Sequence, residues 1–374
     1  MAPSSDRGCG RNTVMTGTGG IGTSQWIGIL GGGQLGRMLA IAAAQLGLKT
    51  HIYAPDADSS PAGAVAARTT TADYDDIAAL REFAAGVGAV TSEFENVPAA
   101  TMEVIGEFCL VSPGAAALHA AQHRVAEKTL AAGLGIPTPR YWPVRTSEDL
   151  ILAMEALSAP AILKTCRLGY DGKGQRRLTP DDDLAAALDE LKTDDAILEE
   201  MIAFDGEISA LLARDKSGNI CHFPSSQNRH ENGILARSVA PAPVAPVLAE
   251  AARTATEALA EAVDLVGLLA VEFFIDADGR LLFNEMAPRP HNSFHWTIEG
   301  CATSQFTQLV RVIAGMGFGS TAAYGRWQMD NLLGQHMDSV PSHLSTAGVH
   351  VHLYGKPEPR TDRKMGHVTR RLSD

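Results

Sequence analysis

Cysteine, aromatic residues, long apolar runs and an excess of positive charge are all scarce in this chain of 374 residues. The five cysteines (Cys9, Cys109, Cys166, Cys221 and Cys301) lie far apart, with no CxxC pair. That spacing argues against a disulfide framework or a zinc site and points to a reducing, cytoplasmic setting. No apolar stretch approaches the ~20 residues of a membrane span, so no membrane partner is expected. A formal net charge of −12 argues against a nucleic-acid surface while leaving room for a local basic pocket. What remains is a chain with 45% hydrophobic and 20% charged residues, an ordinary globular composition long enough for two or three domains. Residues 1–25 are rich in Gly, Ser and Thr and lack the apolar centre of a secretory leader. They read as a disordered tail, with Met15 as an alternative starting point.

The stretch "IGILGGGQLGRML" (27–39) gives the first chemical clue. A short apolar strand, a glycine turn and a helix follow one another, and Gly31-x-Gly33-x-x-Gly36 has the spacing of a dinucleotide fingerprint. Glycines permit a tight turn, and the N–H groups opening the helix suit a phosphate. The segments "WIGIL", "KTHIYAP", "AVTSEF" and "CLVSP", separated by alanine-rich helices, predict a doubly wound parallel α/β unit over 26–120. A dehydrogenase would need an acidic residue after the second strand, and Asp56 and Asp58 in "HIYAPDAD" are available for it. The turn by itself leaves NAD and other phosphate ligands open.

The segment "FFIDADGRLLF" is more informative. Asp278-Gly279 is a two-residue turn signal, and a turn there pairs Ala277 with Arg280, Phe274 with Phe283 and Glu272 with Glu285. Two carboxylates opposed across a hairpin repel each other, and hard oxygen ligands of this kind suit Mg2+. A register slipped by one residue, or one solvent-exposed glutamate, is the competing reading. Upstream, Lys164 ends the apolar strand "PAILK" and is followed by "RLGYDGKGQ". A fixed lysine beside a mobile glycine loop carrying Lys173 can cover and neutralise a triphosphate; a plain hairpin with an exposed lysine is the alternative. Arg289, His291, Asn292 and His295 crowd into a proline-broken segment that cannot satisfy its polar groups by regular pairing, and such side chains suit anionic ligands. "RTDRKMGHVTRR" reads either as a cationic partner for a phosphorylated substrate or as a basic tail. Trp296 reads as packing, and the helix "APVLAEAARTATEALAEAV" as scaffold.

Taken in order, "GILGGGQLGRML", "SEFENVP", "GYDGKGQ", "NEMAPRPHNSFHWT" and "RKMGHV" resemble the ATP-grasp enzymes, and within them the N5-carboxyaminoimidazole ribonucleotide synthetase family, from residue 26 onward. The resemblance implies an α/β ATP-grasp architecture. Its parts would be an N-terminal doubly wound parallel-sheet domain (26–120), a central ATP-grasp domain (121–312) with a mobile lid at about 145–205, and a small C-terminal domain (313–374). It implies ATP- and bicarbonate-dependent carboxylation of 5-aminoimidazole ribonucleotide through carboxyphosphate in purine biosynthesis, with Mg2+ as cofactor and a homodimer as assembly.

The site residues carry over position by position. Arg124 and Lys164 would contact ATP phosphates under a closing loop containing Gly169, Gly172, Lys173, Gly174 and Gln175. Glu199, Glu200, Met201 and Ile202 would read the adenine and Glu207 the ribose, with His230 near the phosphates and Asn284 beside Glu285. Glu272 and Glu285 would hold Mg2+. The ribonucleotide would meet Gln34, Leu35, Glu93, Tyr170, Asp171, Arg289, His291, Asn292, Arg363 and Lys364, with its phosphate against the glycine turn and the Arg363–Lys364 region. Asp171 is the candidate for orienting the amine or accepting its proton, with Tyr170, Lys173 and Arg289 as catalytic neighbours. Two departures stand out. Ala287 in "EMAPR" occupies a position where many ATP-grasp enzymes carry asparagine, which agrees with the narrower family. A longer C-terminal helix found in relatives is missing after "GHVTRRLSD". Three rivals remain: a formate-dependent glycinamide ribonucleotide transformylase, a Rossmann NAD-dependent dehydrogenase, and a nucleotide-binding module without catalysis.

Overall fold

Three sheets carry the chain in the computed structural model, which describes residues 26–169 and 172–373. The expected tail (1–25) and the Tyr170–Asp171 pair lie outside the described residues. The first sheet has five parallel strands in the order Arg68–Thr71, Lys49–Ala54, Trp26–Leu30, Ala89–Ser92, Leu110–Ser112. Ile27, Ile29 and Leu30 of the central strand are buried, as a strand covered by helices on both faces requires. Arg68–Thr71 escapes sequence reading because "RTTT" has no apolar member. It sits at the sheet edge, where only one neighbour must be satisfied.

The second sheet is antiparallel, in the order Tyr141–Val144, Ala196–Glu200, Ala161–Thr165, Gln175–Leu178. The helices Ser147–Leu157 and Leu184–Leu191 cover it and close a small core of its own, including Leu150, Leu163, Leu188 and Leu198. The first of these helices starts at a capping box, Thr146 with Asp149.

The third sheet has eight strands: Leu281–Ala287, Gly267–Asp276, Phe204–Arg214, Ile220–Glu231, Ile234–Ala240, Arg326–Leu333, Lys364–Leu372 and Val349–Leu353. The strands that follow residue 313 therefore extend the sheet of the central region. Lys364–Leu372 pairs on both sides, with His367 and Thr369 fully buried, so the basic-tail reading of "RTDRKMGHVTRR" does not hold. The hairpin between Ile220–Glu231 and Ile234–Ala240 turns at Asn232-Gly233, with φ of 52° and 80°, the left-handed pair that a two-residue hairpin loop requires. Trp296 is buried, and its indole N–H donates to Ser226 Oγ at 2.9 Å. No helix among the described residues is long and apolar enough to cross a membrane.

Tight packing of the first sheet gives a direct test. A Cβ at Gly28 would lie 2.5 Å from Phe83 Cζ and 2.8 Å from Val90 Cγ2, inside van der Waals contact in a core that cannot expand freely. Gly28→Ala should lower stability by about 1–3 kcal/mol, read as an earlier urea midpoint with an unchanged slope. Unaltered stability would mean that the helix of Phe83 is free to shift.

Candidate active site

The carboxylate hairpin forms by a route different from the expected one. Asp276 closes the loop: its backbone N–H donates to Arg280 O at 3.0 Å, and its carboxylate accepts from the Asp278 and Arg280 N–H groups at 3.0 and 2.8 Å. Gly279 takes a left-handed φ of 74°. The loop thus holds three residues rather than two, and near it Phe274 pairs with Leu282 and Phe273 with Phe283. The expected Phe274–Phe283 and Ala277–Arg280 pairs do not form. A bulge at Asn284 then shifts the register back by one residue, and Glu272 lies opposite Glu285.

The helix Arg124–Gly133 fastens that bulge. Lys128 Nζ donates to Asn284 O at 3.0 Å, Glu127 Oε2 accepts from Met286 N–H at 3.1 Å, and Arg124 Nη1 donates to Glu285 Oε2 at 3.1 Å. One helical turn therefore engages three consecutive residues of the strand. Lys128 is completely buried, and with Lys164 it brackets Glu199 at 3.4 and 2.9 Å.

Charge is distributed unevenly over this cluster. Burial pushes Glu272 up to about 7, only partly opposed by His230. Burial also acts on Glu285, but Arg124 and Lys164 hold its carboxyl below the usual range. Glu199, likewise desolvated, is held at about 2 by Lys128 and Lys164. Burial alone would lower His230, yet its 2.5 Å hydrogen bond to Glu207 raises it to about 9. Burial and Arg289 push His291 down to about 3, with its Nε2 3.6 Å from Glu272. Glu95, ion-paired to Arg289, stays at about 2 against the cost of burial.

The opening glycine turn is occupied by the protein itself. Glu93 follows the strand Ala89–Ser92, and its carboxylate accepts from the N–H groups of Gly33 and of Gly36. A Cβ at Gly33 would lie 2.4 Å from Glu93 Oε1, so glycine is needed there for the close approach of this side chain. The Gly33 and Gly36 amides are thus taken by the protein, while Gln34 and Leu35 at the start of the helix line the cleft.

A single cleft of about 1140 Å3 collects most of the anticipated residues. Arg124, Gly169, Gly172, Lys173, His230, Glu272 and Glu285 line it together with Gln34, Leu35, Glu93, Arg289, His291, Asn292, Arg363 and Lys364. Gly172 lies against the hairpin turn, where an added Cβ would be 3.0 Å from Asn232 O. Other anticipated residues stand behind the wall or apart from it. Lys164 and Glu199 form the buried pair, and Glu207 backs His230. Asn284 forms the bulge, while Gly174 and Gln175 lead into the strand Gln175–Leu178. Glu200, Met201 and Ile202 line a separate hollow of about 200 Å3 with Asp276 and Arg280, and Glu200 is clamped by Arg140 through two 3.0 Å hydrogen bonds.

Several residues at the site escape sequence reading. Glu127 and Lys128 lie within one helical turn of Arg124, and Glu95 stands two residues after Glu93. Lys356 and Arg360 line the cleft from the proline-broken segment before Arg363. Helical spacing from Arg124 and the cationic run "KPEPRTDRK" were the available signals.

Two outcomes test this electrostatic arrangement. Glu199→Gln deprives two buried ammonium groups of the carboxylate they share and should cost about 3–5 kcal/mol of stability in chemical denaturation. For His230, the unfolded value is 6.5 and the folded value about 9. Its stabilisation is therefore complete below pH 6.5 and disappears as pH rises through 9. Glu207→Gln should flatten the loss of stability across that window; a parallel profile would remove the pair from the account.

Comparisons with known proteins agree along the length of the chain. Residues 24–122 match the ribonucleotide synthetase preATP-grasp domain, 129–306 the ATP-grasp domain, and 328–374 the phosphoribosylaminoimidazole carboxylase C-terminal domain. An N5-carboxyaminoimidazole ribonucleotide synthase of Brucella melitensis is 48% identical over 346 residues, covering 92% of this chain and 95% of that one. The crystal structure of N5-carboxyaminoimidazole ribonucleotide synthetase from Thermus thermophilus superposes with a TM-score of 0.86 at 43% identity, covering 93% and 94% of the two chains. That of the N5-carboxyaminoimidazole synthase from Aspergillus clavatus, in complex with ADP and 5-aminoimidazole ribonucleotide, gives a TM-score of 0.87 at 29% identity, with 94% of each covered. With its glycine turn filled by Glu93 and its three segments matched in order, the chain is not a dehydrogenase but belongs to the N5-carboxyaminoimidazole ribonucleotide synthase family of ATP-grasp enzymes.

Proposed function

We propose that this chain uses ATP and bicarbonate to carboxylate the exocyclic amine of 5-aminoimidazole ribonucleotide in purine biosynthesis. The observation that carries this reading is one cleft in which the Glu272–Glu285 pair, the ends of the glycine loop and a cationic segment all meet. Bicarbonate is a poor electrophile because hydroxide would have to leave. Transfer of the γ-phosphoryl group of ATP gives carboxyphosphate, from which phosphate leaves instead. The amine nitrogen then bonds to the carboxyl carbon, phosphate departs, and the amine proton passes to a base.

Each part of the chain has a task in that sequence. Arg124 and Lys173 offset phosphate charge, and the loop between Gly169 and Gly174 closes to keep water from carboxyphosphate. Within that loop Asp171 is our candidate base and Tyr170 its neighbour. With the Gly33 and Gly36 amides taken, the ribonucleotide phosphate falls to Arg363, Lys364, Lys356 and Arg360, while Arg289, His291 and Asn292 face its ring. The hollow beside Glu200, Met201 and Ile202 receives the adenine. The Glu272–Glu285 donor set fits Mg2+: two hard carboxylates stand opposite each other on the cleft wall, and burial pushes Glu272 up to about 7, with His230 opposing only part of that shift. When bound there, Mg2+ would offset part of the charge of the two carboxylates and of the ATP phosphates. Family membership and the cysteine pattern support a cytoplasmic enzyme, and family resemblance a homodimer, which sedimentation equilibrium would test.

A coupled ADP-release assay decides the substrate. Turnover should require 5-aminoimidazole ribonucleotide and place labelled bicarbonate in the product; turnover with formate and glycinamide ribonucleotide instead would overturn the reading. Glu272→Gln should abolish ATP turnover while leaving the fold as stable or more so, because a desolvated charge is removed. Lys364→Ala should weaken the ribonucleotide by about 1.5–3 kcal/mol, roughly tenfold to a hundredfold, and ATP far less. An equal effect on both ligands would move Lys364 out of the substrate site.

A further inference from the structure

Beside the root of the glycine loop lies a second group of donors that the carboxylation does not use. His123, Cys166 and Asp195 come from three separate segments, and one potential ligand atom of each lies within 4.8 Å of the others. The backbone holds them in register. Cys166 N–H donates to Asp195 O at 2.9 Å, and Cys166 O accepts from Arg124 N–H, next to His123, at 3.0 Å. Their side chains already converge, with His123 Nε2 3.0 Å from Asp195 Oδ2 and the Cys166 sulfur within 4.8 Å of a ligand atom of each. The sulfur belongs to a buried residue, yet Cys166 lines the large cleft, and the His123 and Asp195 side chains are 20% and 37% exposed. The group is thus preformed, and an ion can enter it.

The donor chemistry differs from that of the Glu272–Glu285 pair. One sulfur, one imidazole nitrogen and one carboxylate oxygen form a mixed set suited to Zn2+ and similar borderline-soft cations rather than Mg2+. Tetrahedral coordination with bonds of about 2.0–2.3 Å separates ligands by roughly 3.4 Å, which small side-chain rotations reach from the present positions. We infer that His123, Cys166 and Asp195 bind a divalent transition-metal cation of the Zn2+ type, leaving a fourth position open to the cleft. Coordination through Nε2 moves the imidazole proton to Nδ1, at the loss of the long 3.4 Å contact from Ala126 N–H, and expels the thiol proton to solvent. The thiolate and carboxylate then carry two negative charges, matching the cation. Such an ion ties the end of the strand Ala161–Thr165 to the start of the helix bearing Arg124, directly below Gly169. It is a point at which a soft metal would stiffen the base of the loop. The wide spacing of the cysteines concealed this possibility, because the partners of Cys166 are a histidine and an aspartate distant in sequence.

Cobalt provides the probe, since a sulfur ligand gives Co2+ an intense charge-transfer absorption that oxygen ligands do not. The full chain, in saturating Mg2+ to fill the hard site, should bind one Co2+ with that band, and Zn2+ should erase it. Cys166→Ser should lose the band while keeping its thermal unfolding transition. Asp195→Asn, the second variant should the first fail to fold, should weaken Co2+ binding at least about tenfold. No sulfur band in the unaltered chain, or a band of undiminished strength in Cys166→Ser, would overturn the assignment. So would unchanged affinity in Asp195→Asn. None of these results depends on ATP turnover, so the proposed carboxylation stands or falls separately.

Discussion

Two like charges opposed across adjacent strands at the wall of the cleft form the constraint on which the rest of the site depends. Glu272 and Glu285 sit opposite each other and cannot both be comfortable as bare carboxylates at that separation, Glu272 being the more enclosed of the two. Arg124 takes up the charge of one, His230 and His291 stand near the other, and Lys128 and Lys164 hold Glu199 behind them. The helix Arg124–Gly133 then serves two purposes with one turn: it supplies a cation and pins the backbone of the bulge. Remove that bulge and the register at Glu285 changes by one residue, which in a strand turns the side chain to the opposite face. The asymmetry between the two glutamates follows from this geometry, because only Glu285 lies within reach of the guanidinium.

Much of this was legible in the residues, though unevenly. The parallel sheet could be read from its apolar strands, since buried strands advertise themselves by composition. The opposition of Glu272 and Glu285 was also inferable, but through a turn that does not exist. Two local departures, a three-residue loop set by the Asp276 carboxylate and a bulge at Asn284, cancel each other at Glu285. Neither could be foreseen, because the first depends on a side chain folding back on its own loop and the second on a lysine arriving from a helix about 156 residues away in sequence. The Asn232-Gly233 turn carried a comparable local signal that the sequence reading did not use. Lys128 carried none, for an interior lysine is recognised only once its partners are known.

The glycine turn shows how a motif can keep its shape while its ligand changes. Gly31, Gly33 and Gly36 produce the sharp entry into a helix that a dinucleotide would use. Here the N–H groups receive the Glu93 carboxylate from the neighbouring strand, an internal substitute for phosphate. Burial raises Glu93, and Lys356 and Arg289 offset only part of that effect. The turn therefore fixes part of the cleft wall, which cationic side chains from the opposite end of the chain complete.

The continuity of the eight-stranded sheet also sets a timetable for biosynthesis. Lys364–Leu372 lies between Arg326–Leu333 and Val349–Leu353 and forms part of the same surface as the carboxylate hairpin. The first sheet is complete once residue 112 has emerged, and the four-stranded sheet once residue 200 has. The third begins only at residue 204 and must wait for residues 364–372, so through the later part of translation its strand edges stand open to wrong partners. A nascent chain of this kind needs protection late in synthesis rather than early. Any arrest before residue 356 would leave the cleft without the wall that Lys356, Arg360, Arg363 and Lys364 supply.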